Sequence, residues 1–324
     1  MPTQQPTKRK HHYRPVLHLR QFTDNSGRLW VYGRGLELPF RQLPERIGYE
    51  KFLYAPGDGP NPQDDAFEDW LMDNVDGPSA AILHRLLDDA YPTGPLGVLP
   101  PDSDRSVFAR FMGIQDMRTP RARDFIMDGF QQALERAYQN WTRDPEELRR
   151  SIYRDSGTLY TIDELLHHIA THEVVAAKGF WLEYMADTIH MGGKRIFGMR
   201  WHVVDAPPGS TFVTGDLGIA KFFLGVEQPC TWRMGFHLGA THWVMPLSPA
   251  RALVLVPTDD PRSLPIPSAE WVQLVNERLI RDAWRFVYCQ TPTPIVPELW
   301  KDDPEPISDV WPEWMLPPLV DGKE

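Results

Sequence analysis

An α+β fold is what this sequence predicts, and three observations carry the prediction. Apolar stripes at helical spacing fill the middle of the chain, runs rich in β-branched and aromatic residues lie towards both ends, and no glycine-rich dinucleotide fingerprint follows a strand. The expected architecture is a central helical region whose N- and C-terminal strands share one mixed or antiparallel sheet.

The densest chemistry comes first, in Lys8-Arg-Lys-His-His-Tyr-Arg-Pro-Val-Leu-His-Leu-Arg-Gln-Phe22. Pro15 disfavours helical geometry at Arg14, so the segment starts extended. Val16, Leu17, Leu19 and Phe22 then anchor a short turn or helix. Thr23-Asp-Asn-Ser-Gly27 is a turn, and residues 28–32 form a strand ended by Gly33 and Gly35.

Residues 63–75 and 82–87 read as a helical pair separated by Gly77-Pro78, and residues 92–101 as a loop rich in Pro and Gly. Asp102-Ser-Asp104 offers a cap to the helix carrying Val107, Phe108, Phe111 and Met112. Thr119 caps, and Pro120 opens, a long helix through Tyr138. A second long helix runs from Asp163 to about His190 and stops at Gly192-Gly193.

Strands are expected at 201–205, 211–214, 242–245 and 252–256, followed by a helix over 268–282 and a closing strand over 285–289. Beyond Gln290 the Pro, Trp and acidic content suits an extended tail. Residues 8–290 therefore read as a single domain and residues 291–324 as the tail.

Composition narrows the function classes. The formal charge is −10, with 44 acidic against 34 basic residues, which disfavours general nucleic-acid binding. The basic patch from Lys8 to Arg20 is local enough to attract an anionic small molecule or a nucleotide. The two cysteines, Cys230 and Cys289, signal neither a disulfide framework nor a zinc site. No apolar run reaches the length of a membrane span, so a soluble, cytoplasmic protein is expected.

Within the patch, neutral His12 can take a proton, and Arg20 and Arg118 can grip a phosphate or carboxylate bidentately. The alternative is that His11 and His12 merely end a solvated basic tail. Thr214-Gly-Asp216-Leu-Gly218 must turn sharply at a strand end, where Asp216 is a candidate catalytic carboxylate or an ordinary turn residue. His168 and His172 are four apart on one helical face, but the order is wrong for HExxH and no third ligand is signalled, so no metal site is assigned.

The segments His11-His-Tyr-Arg-Pro15 with Leu19, Arg20 and Phe22, Gly27-Arg-Leu-Trp-Val-Tyr32, Gln115 to Pro120, Phe212 to Asp216 and Met245-Pro-Leu-Ser-Pro249 occur in an order that resembles DUF4238, a bacterial family of unknown function. Asn276 and the strand through Tyr288 resemble its closing helix and strand. Where that family continues its Asp with Asn-Pro, this chain has Leu217-Gly218. The resemblance groups the segments without implying a reaction or a cofactor.

The working expectation is a hydrolase of nuclease or phosphodiesterase type acting on a phosphate-containing substrate. His12 would be its acid or base, Asp216 the partner of His12 or a metal ligand, and His11, Tyr13, Arg20, Gln115, Arg118 and Asn276 the substrate-binding residues. The alternative is a non-catalytic module in which the N-terminal segment stitches the sheet to the helices or binds a partner, with Arg20 paired to Asp216 or another acid inside the fold.

Overall fold

The computed structural model of the chain describes residues 9–56, 64–88, 100–171, 176–223, 240–258 and 267–302, and its elements follow from local sequence in most places. Strand β1 (Lys10–His12) is the extended start before Pro15, after which α1 (Val16–Leu19) tightens into a 3-10 turn at Arg20–Phe22. Then come β2 (Leu29–Gly33), β3 (Phe40–Gln42) and β4 (Tyr49–Lys51).

Gly77-Pro78 does not separate two helices. Helix α2 (Ala66–Leu71) runs through a π turn at Met72–Asp76 straight into α3 (Gly77–Leu87), the Gly77 N–H reaching back five residues to the Met72 carbonyl just before Pro78. Helix α4 (Asp102–Gln115) starts behind Pro101 with no side-chain cap, so the acids expected to cap it lie in its first turn. Helix α5 (Pro120–Arg143) is capped as expected, the Thr119 hydroxyl accepting from the Ala122 N–H at 3.1 Å.

Helix α6 (Pro145–Ser156), unanticipated, starts where Asp144 accepts from the Glu147 N–H. The long helix expected from Asp163 is two, α7 (Ile162–Thr171) and α8 (Gly179–Phe197), and Gly192-Gly193 lie inside the second. The remaining elements are β5 (Arg200–Asp205), β6 (Thr214–Gly215), β7 (Ala220–Phe223), β8 (Ala240–Ser248), β9 (Arg251–Val256), α9 (Ala269–Asp282), β10 (Phe286–Cys289) and α10 (Ile295–Asp302).

Helix α10 corrects the expectation of an extended run directly after Gln290. Val296 is buried, and the Trp300 indole donates to the Ile280 carbonyl at 2.9 Å, which docks the helix on α9. Residues 92–99, Cys230, His172, His237 and the tail from residue 303 lie outside the described residues.

The fold is α+β. Its strands pair in the orders β3-β2-β10-β6 and β5-β9-β8-β7, with β1 and β4 a separate pair, and every pairing is antiparallel. The N-terminal β2 lies against the C-terminal β10, Trp30 opposite Cys289.

The β5-β9-β8-β7 sheet is buried on both faces, and its two-residue side-chain period sorts the core. Trp201, Val203, Trp243, Met245, Leu253 and Leu255 face the helical layer of α3, α4, α5 and α8. Val204, Val244, Val254 and Val256 face α9 and β10. That double burial explains why Ala252-Leu-Val-Leu-Val256 is continuously apolar.

The glycines inside α8 are used for helix packing. Helices α4 and α8 cross so closely that a Cβ on Gly113 would lie 3.1 Å from the Gly193 nitrogen and 3.3 Å from the Gly192 carbonyl carbon. Backbone cannot move aside as a flexible side chain can, so Gly113→Val is expected to overpack the crossing. The cost should be about 1–3 kcal/mol, read as a melting temperature lower by roughly 2–4 °C per kcal/mol or somewhat less in a chain of this size.

Among the described residues, no helix is long and apolar enough to cross a membrane.

Candidate functional site

Strand β1 places the basic segment against β4, with His11 opposite Glu50 and His12 opposite Tyr49. His11 points inward. Its ring stacks on Tyr54 at 5.6 Å, and its Nδ1 accepts the Tyr54 backbone N–H at 2.9 Å. His12 contributes mainly through its backbone: the carbonyl accepts from Arg118 Nη2 at 2.8 Å, and the N–H donates to Glu68 Oε1 at 3.3 Å.

The His12 ring lies edge-on to Tyr49, and its Nε2 is buried without a hydrogen-bond partner among the described residues. Burial, assisted by the charge of Arg118, lowers its pKa to about 4, against a backbone hydrogen bond at Glu45 that acts the other way. The imidazole is therefore neutral at neutral pH.

Arg118 stands just before α5 and is almost fully buried. It pairs with Asp76 through two hydrogen bonds of 2.8 and 3.1 Å, and its Nε lies 3.3 Å from the Tyr54 hydroxyl. The π turn before α3 is what delivers Asp76 to this position. The Tyr54 hydroxyl in turn donates to the Arg118 carbonyl at 3.0 Å. Arg118 is thus committed to protein groups on β1, α3 and the segment after β4.

Asp216 is buried beside the start of β10. Its Oδ2 accepts from the backbone N–H groups of Arg285 at 2.6 Å and Phe286 at 2.7 Å, and its Oδ1 accepts from the Tyr288 hydroxyl at 3.2 Å. Burial raises its pKa to about 6, with those hydrogen bonds and the charge of Arg14 pulling the other way. The Tyr13 hydroxyl shares this cluster, hydrogen-bonded to Tyr288 and Asp216, and burial pushes it well above the usual phenol range.

Arg14, Thr214 and His18 join the cluster, and sequence reasoning assigned none of them a site role. The Arg14 guanidinium is fully buried with no carboxylate in contact among the described residues. It donates to Gln115 Oε1 at 3.0 Å, Thr214 Oγ1 at 3.1 Å and His18 Nδ1 at 2.6 Å. Desolvation lowers its pKa to about 10, so it keeps its charge. His18 Nε2 lies 2.7 Å from the Pro246 carbonyl, which assigns the proton to Nε2 and leaves Nδ1 as acceptor for Arg14.

The Leu217-Gly218 sequence now has a physical reason. Gly218 adopts φ of 70°, and a Cβ there would fall inside the Arg14 guanidinium. Proline, confined to negative φ, cannot occupy this position.

The other candidates are distributed elsewhere. Gln115 Nε2 donates to the Phe111 carbonyl at 2.8 Å, so both ends of its amide are used. Asn276 on α9 accepts from the Val213 N–H at 2.9 Å and donates to the Thr211 carbonyl at 2.8 Å, fastening the helix to that segment. Arg20 is exposed and pairs with Glu45 at 2.9 Å, on the surface rather than with an acid inside the fold.

His168 is exposed on α7, and no group of three metal-ligating side chains forms among the described residues. A further buried ion pair joins Asp116, next to Gln115, to Lys221 on β7 beneath the Trp243 ring. Local sequence marked none of these partners, since Asp76, Thr214 and Lys221 approach only through the tertiary fold.

His12 and Asp216 respond to pH in opposite senses over the same range. His12 is depressed in the folded state, so between about pH 4 and its unfolded pKa near 6.5 the unfolded chain binds the extra proton and stability rises with pH. Asp216 is raised, so between its unfolded pKa near 4 and about pH 6 the folded chain holds the extra proton and stability falls as pH rises. Urea unfolding at pH 4.5 and pH 6 should show a steeper rise with pH in Asp216→Asn than in wild type. The rise should be shallower, or reversed, in His12→Gln.

No curated protein and no solved structure matches the chain significantly. Residues 10–293, which include β1, the buried arginines, Asp216 and β10, match the family described as protein of unknown function (DUF4238), and the chain belongs to that family.

Proposed function

We propose that this protein is a non-catalytic binding module in which residues 10–22 act as the structural lock of the fold. One observation carries the reading. Except for the Nε2 of His12, the groups expected to do chemistry are bonded to protein, and the two assigned to catalysis, His12 and Asp216, share no hydrogen bond among the described residues. A catalytic pair has to reach one reacting atom together. Here Asp216 instead holds two backbone N–H groups and a tyrosine, and Arg118 holds Asp76 and the His12 carbonyl.

A second reading, the phosphate-directed hydrolase, is favoured by the unpartnered Nε2 of neutral His12. An imidazole in that state is ready to accept a proton, and substrate would have to reach it past Tyr49.

Stability and turnover separate the two. Under the lock reading, Arg118→Met strands the buried Asp76 carboxylate and should cost about 3–5 kcal/mol by urea unfolding, with much of the loss recovered in Asp76→Leu/Arg118→Met. Wild type should release no product from phosphomonoesters or phosphodiesters above the buffer rate. Turnover that disappears in His12→Gln at an unchanged melting temperature would instead establish the hydrolase.

A further inference from the structure

We propose that the groove between α4 and α8 binds a small aromatic anion, a planar ring bearing a phosphate or carboxylate. This names a ligand class for the binding-module reading above and rests on it.

Two stripes face one another across the groove. Ser106 and Arg110 are one turn apart on α4, and His190, Gly193, Lys194 and Phe197 follow the i, i+3, i+4, i+7 spacing of a single face of α8. They line a cavity of about 280 Å³, near the lower limit of roughly 300 Å³ for small-ligand sites. Gly193 lets α8 approach α4 closely at this point. A Cβ there would sit 3.0 Å from Arg110 Cγ, so the aliphatic stem of Arg110 lies across the glycine.

Charge selects an anion. Arg110, His190 and Lys194 line the groove with no carboxylate among them, and no side chain of the three makes a hydrogen bond or ion pair among the described residues. Other cations nearby are committed, Arg85 to Asp104 and Arg105 to Asp102. In a chain where acids outnumber lysines and arginines 44 to 34, two cations beside a histidine, with no acid in the lining, favour an anionic ligand.

The C-terminal carbonyls of α8 would ordinarily repel an anion. Arg105 offsets this by donating to the carbonyls of Phe197 at 2.5 Å and Met199 at 3.2 Å. The Ser106 hydroxyl donates to the Ser103 carbonyl, so recognition of charge falls to Arg110 and Lys194.

The planar ring follows from the rest of the lining. Arg105 lies over the Phe197 ring, its guanidinium carbon 4.9 Å from the ring centre, and so holds it in place. Phe197, bare Gly193 and the stem of Arg110 leave a largely apolar wall. The guanidinium offers a bidentate fork and the ammonium a point charge to the anionic end.

The test is calorimetric titration of the full chain with phenyl phosphate and with benzoate, alongside inorganic phosphate and phenol. Either ring anion should bind, the stronger of the two identifying the acid group, with inorganic phosphate and phenol weaker by about tenfold or more. Arg110→Gln/Lys194→Gln should weaken binding by about tenfold or more at an unchanged melting temperature, and Lys194→Gln alone by an intermediate amount. No binding of either ring anion at millimolar concentration, or equal affinity in the folded double variant, would overturn the proposal. Release of phenol from phenyl phosphate would overturn the non-catalytic reading instead, and the groove would then be judged on benzoate, which offers no bond to hydrolyse.

Discussion

Arg118 is the group on which the rest of the architecture depends. Its guanidinium ties the carboxylate presented by the turn before α3 to the carbonyl of His12 in β1, while its own carbonyl receives the Tyr54 hydroxyl. Among the described residues, strand β1 is short and pairs only with β4, too little by itself to hold the segment in place. The buried charge pair supplies the anchor, and because both partners are desolvated, losing either one alone strands a buried charge and costs far more than breaking a surface pair such as Arg20–Glu45.

Behind this anchor lies a buried polar layer. Arg14 keeps its charge without touching a carboxylate because three neutral acceptors, Gln115, Thr214 and His18, take protons from its two terminal nitrogens, its Nε having no partner among the described residues, and because Asp216 lies close enough to act through space. Each acceptor is fixed from its other side: Gln115 by the Phe111 carbonyl, Thr214 by its place in β6, and His18 by Pro246. Such a network tolerates little substitution, since losing one member leaves a buried donor unpaired. Gly218 completes it by giving the guanidinium a surface with no side chain.

How much of this the sequence disclosed depends on whether the signal was local. Leu29-Trp-Val-Tyr, the apolar run of β9, the Thr119-Pro120 start of α5 and the span of α9 from about Ser268 were all legible, since each element is specified by its own residues. Gly192-Gly193 was misleading, because the feature that makes it helical is the face of α4 pressed against it. The sequence singled out His11, Tyr13, Arg118 and Asp216, which the fold buries, and His12, which it half-buries. It could not show that Arg118 meets Asp76 rather than an external anion, or that Arg20 turns outward to Glu45, because partner choice is decided by topology.

The pairing of β2 with β10 has a consequence for how the chain is made. Strand β10 follows β2 by about 250 residues, yet the two are the inner strands of the β3-β2-β10-β6 sheet, and Asp216 accepts from the N–H groups at the start of β10. During synthesis on a ribosome, β2 and β3 emerge before β10 and wait, with the edge that β10 will cover unpaired, until about 250 further residues have been translated. Closing contacts of such long sequence separation is slow, and an unpaired strand edge invites association with other chains. The interval between the emergence of β2 and that of β10 is therefore the period in which nascent chains are most exposed to misassembly.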